Sequence, residues 1–207
     1  MAELEIIGAP QSTFVRATRM ALEEKRVPYK LTPAFPQSPE MLALHPYGKI
    51  PAMRHGDFTL FESRAIIFYA DRVFEGPRLV PDDPKTAARA EQWASAIASS
   101  AFPALFAYMR ENFFASGGRR NEAAVAASLP NMRKHIDILE EAAGGGNCLA
   151  GETFTIADLY LMPLLDYLRA LPESGAMLGA NLTRYFKRHC ERPCFTATTP
   201  PAMGAAP

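Results

Sequence analysis

Residues 47–66, YGKIPAMRHGDFTLFESRAI, hold the pattern that decides the fold of the first part of the chain. Two strand-like runs flank the turn sequence His55-Gly56-Asp57 and so predict a β-hairpin. Pro51 lies at the entrance of the first run, as expected for a residue that cannot donate a hydrogen bond to a sheet. From Ile66 onward, apolar residues recur at helical spacing, so the hairpin is expected to lead directly into a helix.

The residues before this stretch alternate strand and helix patterns. Leu4 to Ile7 forms a short apolar run that ends at a glycine, as expected for a buried strand. A helix pattern follows, with Ser12 or Thr13 placed to cap its first turn. Tyr29 to Leu31 predicts a second strand, parallel to the first if this helix forms the crossover. Residues 1–76 therefore predict an α/β domain with the order β-α-β, a loop or short helix, then β-β-α.

A change in composition follows this domain. Residues 76–84 contain three prolines and one glycine, which is typical of a stiff linker, and we assign the linker to 77–84. Strand patterns then disappear, and an all-helical domain is expected over 85–195, with a kink at Pro103. Its helices are predicted at about 85–115, 121–143, 155–170 and 179–191, and a disordered tail is predicted over 196–207.

Composition and charge argue against several classes of protein. Of the 207 residues, 48% are apolar and 21% are charged, which are ordinary values for a globular protein with a core. Lys plus Arg and Asp plus Glu balance at 22 each, which argues against nucleic-acid binding and against attachment to a membrane surface. No apolar window suits a membrane helix, and the early acids Glu3 and Glu5 do not fit a secretory signal, so a cytoplasmic location is expected.

The cysteines and histidines do not form a metal-binding or disulfide pattern. No Cys-x-x-Cys pair occurs, and only His189 and Cys190 are adjacent, so we expect no disulfide framework and no metal site. No cysteine occurs in residues 1–147, which excludes a mixed-disulfide mechanism through the first domain. The three cysteines, expected to be buried or incidental thiols, are Cys148, Cys190 and Cys194.

Two features of residues 47–66 suit a peptide ligand. A cis bond before Pro51 would leave the N–H and C=O of Ile50 free to pair with an extended peptide, whereas a trans proline would be structural. Glu62 and Ser63 stand at the strand-to-helix junction, where the helix N-terminus and a hydroxyl can bind a carboxylate and an acid can pair with an ammonium group. This arrangement fits the head group of an amino acid; the alternative is that Ser63 only caps the helix.

Together these segments resemble a known family, the soluble or cytosolic glutathione transferases. The first half carries the resemblance in Gly8-Ala9-Pro10-Gln11-Ser12, in Tyr47 to Ala52 and in Phe61 to Ile66. The second half carries it in Glu91-Gln92-Trp93, in Thr153 to Asp158, where Thr155 and Asp158 suit a structural capping box, and in Tyr185 to Pro193. The match covers nearly the whole chain up to the tail and indicates a bacterial, serine-type member that is similar to the theta and phi classes.

The resemblance implies a thioredoxin-like N-terminal domain that binds glutathione, followed by a helical domain that supplies a pocket for an electrophile. It implies that the bond before Pro51 is cis and that the backbone of Ile50 pairs with the cysteinyl part of glutathione. Glu62 and Ser63 would hold the γ-glutamyl head group. Lys49 would hold the glycyl carboxylate.

The chain departs from the family pattern at two positions. Relatives commonly carry Asn in place of His45, and plant-type relatives use a histidine in place of Met41. The contacts to the glycyl end are therefore the least defined, and His45 itself fits a structural role.

Activation of the glutathione sulfur is assigned to the mouth of the first helix. A free thiol has a pKa of about 8.5, so a hydrogen-bond donor and a helix N-terminus are needed to favour the thiolate at neutral pH. Ser12 matches the serine of the serine-type classes and would donate that hydrogen bond without acting as a nucleophile. Thr13 is the alternative donor, and a purely capping role for Ser12 is the other alternative.

The pocket for the electrophile is expected to be apolar with a few polar groups. The residues that could line this pocket could instead belong to the buried core, because aromatic residues at helical spacing are commonly core residues. They are Phe14 and Phe35 from the first domain and Tyr108, Met109 and Phe113 from the first long helix. Tyr47 lies where several relatives insert an aromatic side chain into the partner subunit, so a homodimer is expected.

The sequence therefore predicts a cytoplasmic glutathione transferase that conjugates the thiolate of glutathione, as co-substrate, to a small apolar electrophile. The alternatives on the same fold are a non-catalytic glutathione-binding or assembly module and a specialised glutathione-dependent peroxidase or isomerase. Neither nucleic acid nor a membrane is expected as a partner.

Overall fold

The computed structural model of the chain describes residues 3–113 and 120–201. The chain divides into two compact units. The first contains residues up to 80 together with those from 191 onward, and the second contains residues 81–190. The first half of the expected linker therefore belongs to the first unit, where Leu79 and Val80 are buried. The backbone N–H groups of these two residues donate to the carboxylate of Asp71.

A mixed four-stranded sheet forms the centre of the first unit. Its strands are β1 (Leu4–Ile7), β2 (Lys30–Thr32), β3 (Ala52–His55) and β4 (Phe58–Phe61), in the order β2-β1-β3-β4. β1 pairs with β2 in parallel, and the other two pairs are antiparallel. The predicted β-α-β and β-β-α order of a thioredoxin-like domain is confirmed.

Three helices cover the two faces of this sheet. They are α1 (Thr13–Glu24), α2 (Pro39–Leu44) and α3 (Ser63–Val73). Successive side chains of a strand point to opposite faces, so Ile6 packs with α1 and α3, whereas Ile7 packs with Met41 of α2. Between β2 and β3, where a loop or a short helix was expected, the chain forms the short helix α2.

In the described parts of the second unit, 81–113 and 120–190, the regular structure is helical. Its helices are α4 (Pro84–Ala96), α5 (Phe102–Phe113), α6 (Glu122–Ala143), α7 (Ile156–Arg169), α8 (Pro172–Gly175) and α9 (Ala180–His189). A π-helical turn over Ile97–Ala101 interrupts the predicted first helix directly before Pro103. Proline has no N–H to donate and crowds the carbonyl four residues earlier, and the wider turn accommodates it there. In the described part of the chain, no helix is long and apolar enough to cross a membrane.

The last described segment, with α10 (Pro193–Ala197), belongs to the first unit. Arg16, buried on α1, donates from Nη2 to the carbonyl of Phe195 at 3.2 Å, and its guanidinium lies 4.1 Å from the centroid of the Phe195 ring. Thr198 is fully buried. The prediction of a disordered tail from residue 196 is therefore wrong for residues 196–201, while residues 202–207 lie outside the described part.

Candidate active site

Ser12 is the N-cap residue of α1. Its backbone is extended (φ −69°, ψ 129°), and its half-buried Oγ accepts a hydrogen bond from the N–H of Val15 at 3.4 Å. Because this oxygen acts as an acceptor toward the helix, its own O–H can still donate to a ligand. The geometry suits the expected donor to a thiolate.

Thr13, the alternative donor, is in a different environment. Its side chain is buried, and its Oγ1 is shielded from solvent with no hydrogen-bond partner in the described ranges 3–113 and 120–201. A ligand in solvent-accessible space would therefore meet Ser12 before Thr13. The choice of Ser12 stays a prediction, and this contrast in exposure favours it.

Gly8 brings the segment before α1 close to the loop before β3. Its φ is +153°, and a Cβ built there would lie 2.6 Å from Cγ2 of Val15 and 3.1 Å from Cβ of Ile50. Only glycine tolerates both this backbone conformation and this crowding. The close approach places the mouth of α1 beside the residue that precedes Pro51.

The loop that ends at β3 carries the next two predicted residues. The Ile50–Pro51 bond is cis, as expected, and Lys49 is exposed. The loop is fixed by hydrogen bonds from Gly48 N to His45 O (2.7 Å) and from the Gln37 backbone N to Gly48 O (2.8 Å).

The corner between β4 and α3 holds Glu62 and Ser63. Glu62 has a positive φ of 69°, which is uncommon for any residue other than glycine and costs about 1–3 kcal/mol. As N-cap it makes no capping hydrogen bond through its side chain within the described residues, and that side chain is 57% exposed. Ser63 begins the helix and is buried. The corner thus presents a carboxylate to solvent beside a helix N-terminus, the arrangement predicted for an amino-acid head group.

The structure adds His45, a residue with no definite role in the sequence analysis. The ring of His45 lies between the loop and the corner, with Nε2 3.7 Å from Oε1 of Glu62 and Nδ1 accepting from the N–H of Tyr47 at 3.2 Å. The only signal in the sequence was the histidine at a position where relatives commonly carry Asn.

The five candidates for the electrophile pocket lie in different environments. In the first unit, Phe14 is half-buried and Phe35 is 72% exposed. In the second unit, Tyr108 and Met109 are buried, which favours the core alternative for them. The Tyr108 hydroxyl donates to Glu173 at 2.9 Å, and burial raises the pKa of this tyrosine. The side chain of Phe113 lies outside the described part, and all five stay predictions.

Cys148, Cys190 and Cys194 form no disulfide bonds with one another, and Cys148 and Cys194 are buried. Burial raises the pKa of the Cys194 thiol. Among the residues that the structure describes, no group of three or more His, Cys, Asp or Glu side chains could hold a metal ion.

Comparison with known proteins gives the family. Residues 6–78 match the profile of the glutathione S-transferase N-terminal domain, and residues 90–193 match that of the C-terminal domain. Glutathione S-transferase F13 of Arabidopsis thaliana is 31% identical over an alignment of 208 positions, gaps included, that covers 95% of each chain. The crystal structure of glutathione transferase F7 from Populus trichocarpa shares 28% identity at a TM-score of 0.85, covering 94% of this chain and 97% of that one.

A further solved structure contains a ligand. Glutathione S-transferase-I bound with lactoylglutathione is 28% identical at a TM-score of 0.82, covering 95% of this chain and 98% of that one. The organisms named for these relatives are plants, and the bacterial origin expected above stays a prediction. With both domain profiles matched in order and a curated relative matched along nearly its whole length, the chain belongs to the glutathione S-transferase family.

Proposed function

We propose that this glutathione transferase stabilises the thiolate of glutathione with the hydroxyl of Ser12 and presents it to an apolar electrophile. The observation that carries the proposal is the half-buried Ser12 Oγ, which accepts from Val15 N at the N-terminus of α1 and keeps its O–H for a ligand. Ser12 is a hydrogen-bond donor in this mechanism and forms no covalent bond.

The energetic demand on Ser12 is modest. A thiol with a pKa of about 8.5 is only a few per cent ionised at neutral pH, and lowering the pKa by about 2 units requires about 2.7 kcal/mol. One hydrogen bond to a charged group contributes about 1.5–3 kcal/mol, and the N-terminus of α1 adds a favourable dipole. The thiol proton leaves to solvent, and a sulfur lone pair forms the new bond to the electrophilic carbon. In a substitution the leaving group departs with the electron pair of its bond to that carbon; in an addition the π-bond of the electrophile breaks and its electron pair moves to the neighbouring atom.

The rest of glutathione would be held by complementary charges in the first unit. The exposed Lys49 would pair with the glycyl carboxylate, and the backbone of Ile50 with the cysteinyl residue. The exposed carboxylate of Glu62 would pair with the γ-glutamyl ammonium, while Ser63 and the N-terminus of α3 would bind the γ-glutamyl carboxylate. One cation, one anion and one helix N-terminus match a ligand with two carboxylates and one ammonium.

The proposal is tested by an ultraviolet difference titration with reduced glutathione at neutral pH. The wild-type protein is expected to give a saturable thiolate absorption, and Ser12→Ala is expected to lose this signal while still binding glutathione by calorimetry. Thr13→Ala is the matched control and should keep the signal. A full thiolate signal in Ser12→Ala, or its loss only in Thr13→Ala, would overturn the assignment.

We also propose a cytoplasmic homodimer, with the 68% exposed Tyr47 as a contact to the second subunit. Sedimentation of the wild-type protein and of Tyr47→Ala tests this arrangement, because loss of the aromatic contact should weaken the dimer.

Parallel assays with an aryl halide and with an organic peroxide separate conjugation from the peroxidase alternative.

A further inference from the structure

The ring of His45 joins the two segments that make up the proposed glutathione site. His45 follows α2 as its C-cap residue and precedes the loop that carries Lys49. Its side chain is 2% exposed, and its ring packs on Phe61 of β4 with the ring centroids 4.6 Å apart. The imidazole is therefore an interior group that contacts both the loop and the β4–α3 corner.

The hydrogen bonds of the ring define its protonation state. Nδ1 accepts from the backbone N–H of Tyr47 at 3.2 Å, and a backbone N–H can only donate, so Nδ1 carries no proton. The proton of the neutral ring is then on Nε2, 3.7 Å from Oε1 of Glu62. This distance is longer than a hydrogen bond, so the N–H dipole attracts the carboxylate electrostatically, and a small rotation of the exposed side chain brings the two atoms into contact.

Two charged groups face the ring from different elements. Glu62 lies at the corner before α3, and Lys49 lies in the loop. Burial lowers the pKa of His45, and Lys49 acts in the same direction while the Glu62 carboxylate opposes them. The ring is accordingly neutral at neutral pH, in agreement with its acceptor role toward Tyr47.

We propose that neutral His45 is a positioning residue for Glu62 and for the loop, and that protonation of its ring weakens the binding of glutathione. The inference rests on the proposed pairing of Glu62 with the γ-glutamyl ammonium. A proton on Nδ1 would oppose the N–H of Tyr47 and break one of the hydrogen bonds that fix the loop. The resulting imidazolium would also compete with the ammonium of the ligand for the Glu62 carboxylate. Both effects lower affinity as the pH falls.

A ligand without a thiol isolates this effect. S-methylglutathione keeps the γ-glutamyl and glycyl groups, and its carboxyl groups titrate near 3.5 and its amino group near 8, so between about pH 5.5 and 7.5 only about a quarter of its ammonium charge is lost, at the upper end, where the loss would weaken binding. A dissociation constant that rises as the pH falls through this range therefore reports a group of the protein.

The decisive experiment is calorimetry with S-methylglutathione on the wild-type protein, His45→Gln and His45→Asn. For the wild type, the dissociation constant should rise about fivefold from about pH 7.5 to 5.5. His45→Gln keeps a donor near the position of Nε2 but loses the acceptor for the Tyr47 N–H, so it should bind about two- to fivefold more weakly than the wild type at the upper pH, with no pH dependence. His45→Asn keeps only an acceptor near the position of Nδ1, so it should bind about five- to tenfold more weakly at all pH values. For both variants kcat at saturating glutathione should be unchanged, and circular dichroism checks that they fold.

The outcomes separate this inference from the proposed function. If the wild type binds S-methylglutathione with the same affinity across the range, or if both variants keep the pH dependence, the role of His45 is wrong while the glutathione site stands. If the wild type does not bind S-methylglutathione at all, the proposed site itself is wrong. An analogue of S-methylglutathione that lacks the α-amino group should bind the wild type with a smaller pH dependence, because its recognition does not involve the ammonium.

Discussion

Helices α3 and α7 both begin after an extended segment, and both present backbone N–H groups that need acceptors. At α7 the chain itself provides one, because the Thr155 side chain accepts from the backbone N–H of Asp158 in a capping box. The carboxylate of the buried Asp158 accepts from the backbone N–H and the hydroxyl of Thr155, from the N–H of Leu149, and from the hydroxyl of Tyr185. This capping box ties α7 to two neighbouring segments of the second unit.

At α3 the acidic side chain belongs to the N-cap residue itself, Glu62. Glu62 makes no capping bond within the described residues, its carboxylate is exposed, and its backbone is held at a positive φ. A carboxylate that hydrogen-bonds within its own capping box fixes structure, whereas an exposed one beside a helix N-terminus suits a ligand. Removal of the carboxylate should therefore lower the free energy of unfolding at α7 and the affinity for glutathione at α3.

The largest effect is expected at α7. Asp158→Ala leaves several buried donors without their charged acceptor and should lower the free energy of unfolding by about 3–5 kcal/mol. Urea unfolding followed by circular dichroism measures the loss. Thr155→Val removes one donor to the same carboxylate and the side-chain acceptor for the N–H of Asp158, and should cost about 1–2 kcal/mol. An Asp158→Ala protein within about 1 kcal/mol of the wild type would contradict a structural role for the capping box.

The N-terminus of α1 lies between these two extremes, since Ser12 caps its helix through one long hydrogen bond of 3.4 Å. Ser12→Ala should lower kcat about 100-fold, the equivalent of about 2.7 kcal/mol of lost thiolate stabilisation. The KM for glutathione should change little, because the other charged contacts remain. Steady-state kinetics beside Thr13→Ala checks this split, and an equal loss in both variants would indicate a helix defect instead.

Glu62→Gly should raise stability and lower affinity for glutathione. Glycine adopts a positive φ without strain, so the free energy of unfolding should rise by about 1 kcal/mol. Removal of the carboxylate should weaken the binding of glutathione about tenfold or more. Denaturant unfolding and calorimetry on one preparation measure both quantities.

Glu62→Gln is the control for this variant, because it removes the charge and keeps the side chain and the strained backbone. It should weaken binding to a similar extent and leave the stability unchanged. If Glu62→Gly binds glutathione as tightly as the wild type, the carboxylate has no role in the ligand contact.

The sequence predicted the parts of this molecule that depend on neighbours along the chain. The hairpin around Gly56, the strand-to-helix junction at Glu62 and the helix after Asn121 follow from local patterns of apolar and turn residues. The docking of the last segment did not, because its composition of Ala, Thr and Pro suggests disorder, whereas the contact between Arg16 and Phe195 joins residues 179 positions apart.

The same distinction holds within the candidate site. Glu62 and Ser63 could be located from their place at the junction, but the positive φ of Glu62 depends on how β4 meets α3. The role inferred for His45 requires its burial and its distance to Glu62, and a one-dimensional pattern contains neither. Residues that act through other residues are therefore the ones that sequence reasoning misses.

At a third helix N-terminus, that of α9, a substitution should change stability least. There a carboxylate from another helix is bound as a ligand carboxylate would be. At α9 the carboxylate of Glu140, from α6, accepts from the backbone N–H groups of Asn181 (2.7 Å) and Leu182 (2.9 Å). The N-cap residue is Gly179, and a Cβ built on it would lie 2.5 Å from Cδ of Glu140, so the carboxylate occupies the place of the missing side chain. A carboxylate bound in this way is the arrangement proposed for the γ-glutamyl group at α3.

Glu140→Gln should cost about 1 kcal/mol of stability, because the amide removes the charge at the helix N-terminus and turns one acceptor into a donor. Glutathione affinity should be unchanged. Thermal unfolding measures the loss, and the exposed neighbour Glu141→Gln is the matched control, with no expected change. If the two variants have equal stability, a carboxylate at a helix end contributes little in this protein, and the recognition of the γ-glutamyl group would then depend mainly on the ammonium bound by Glu62.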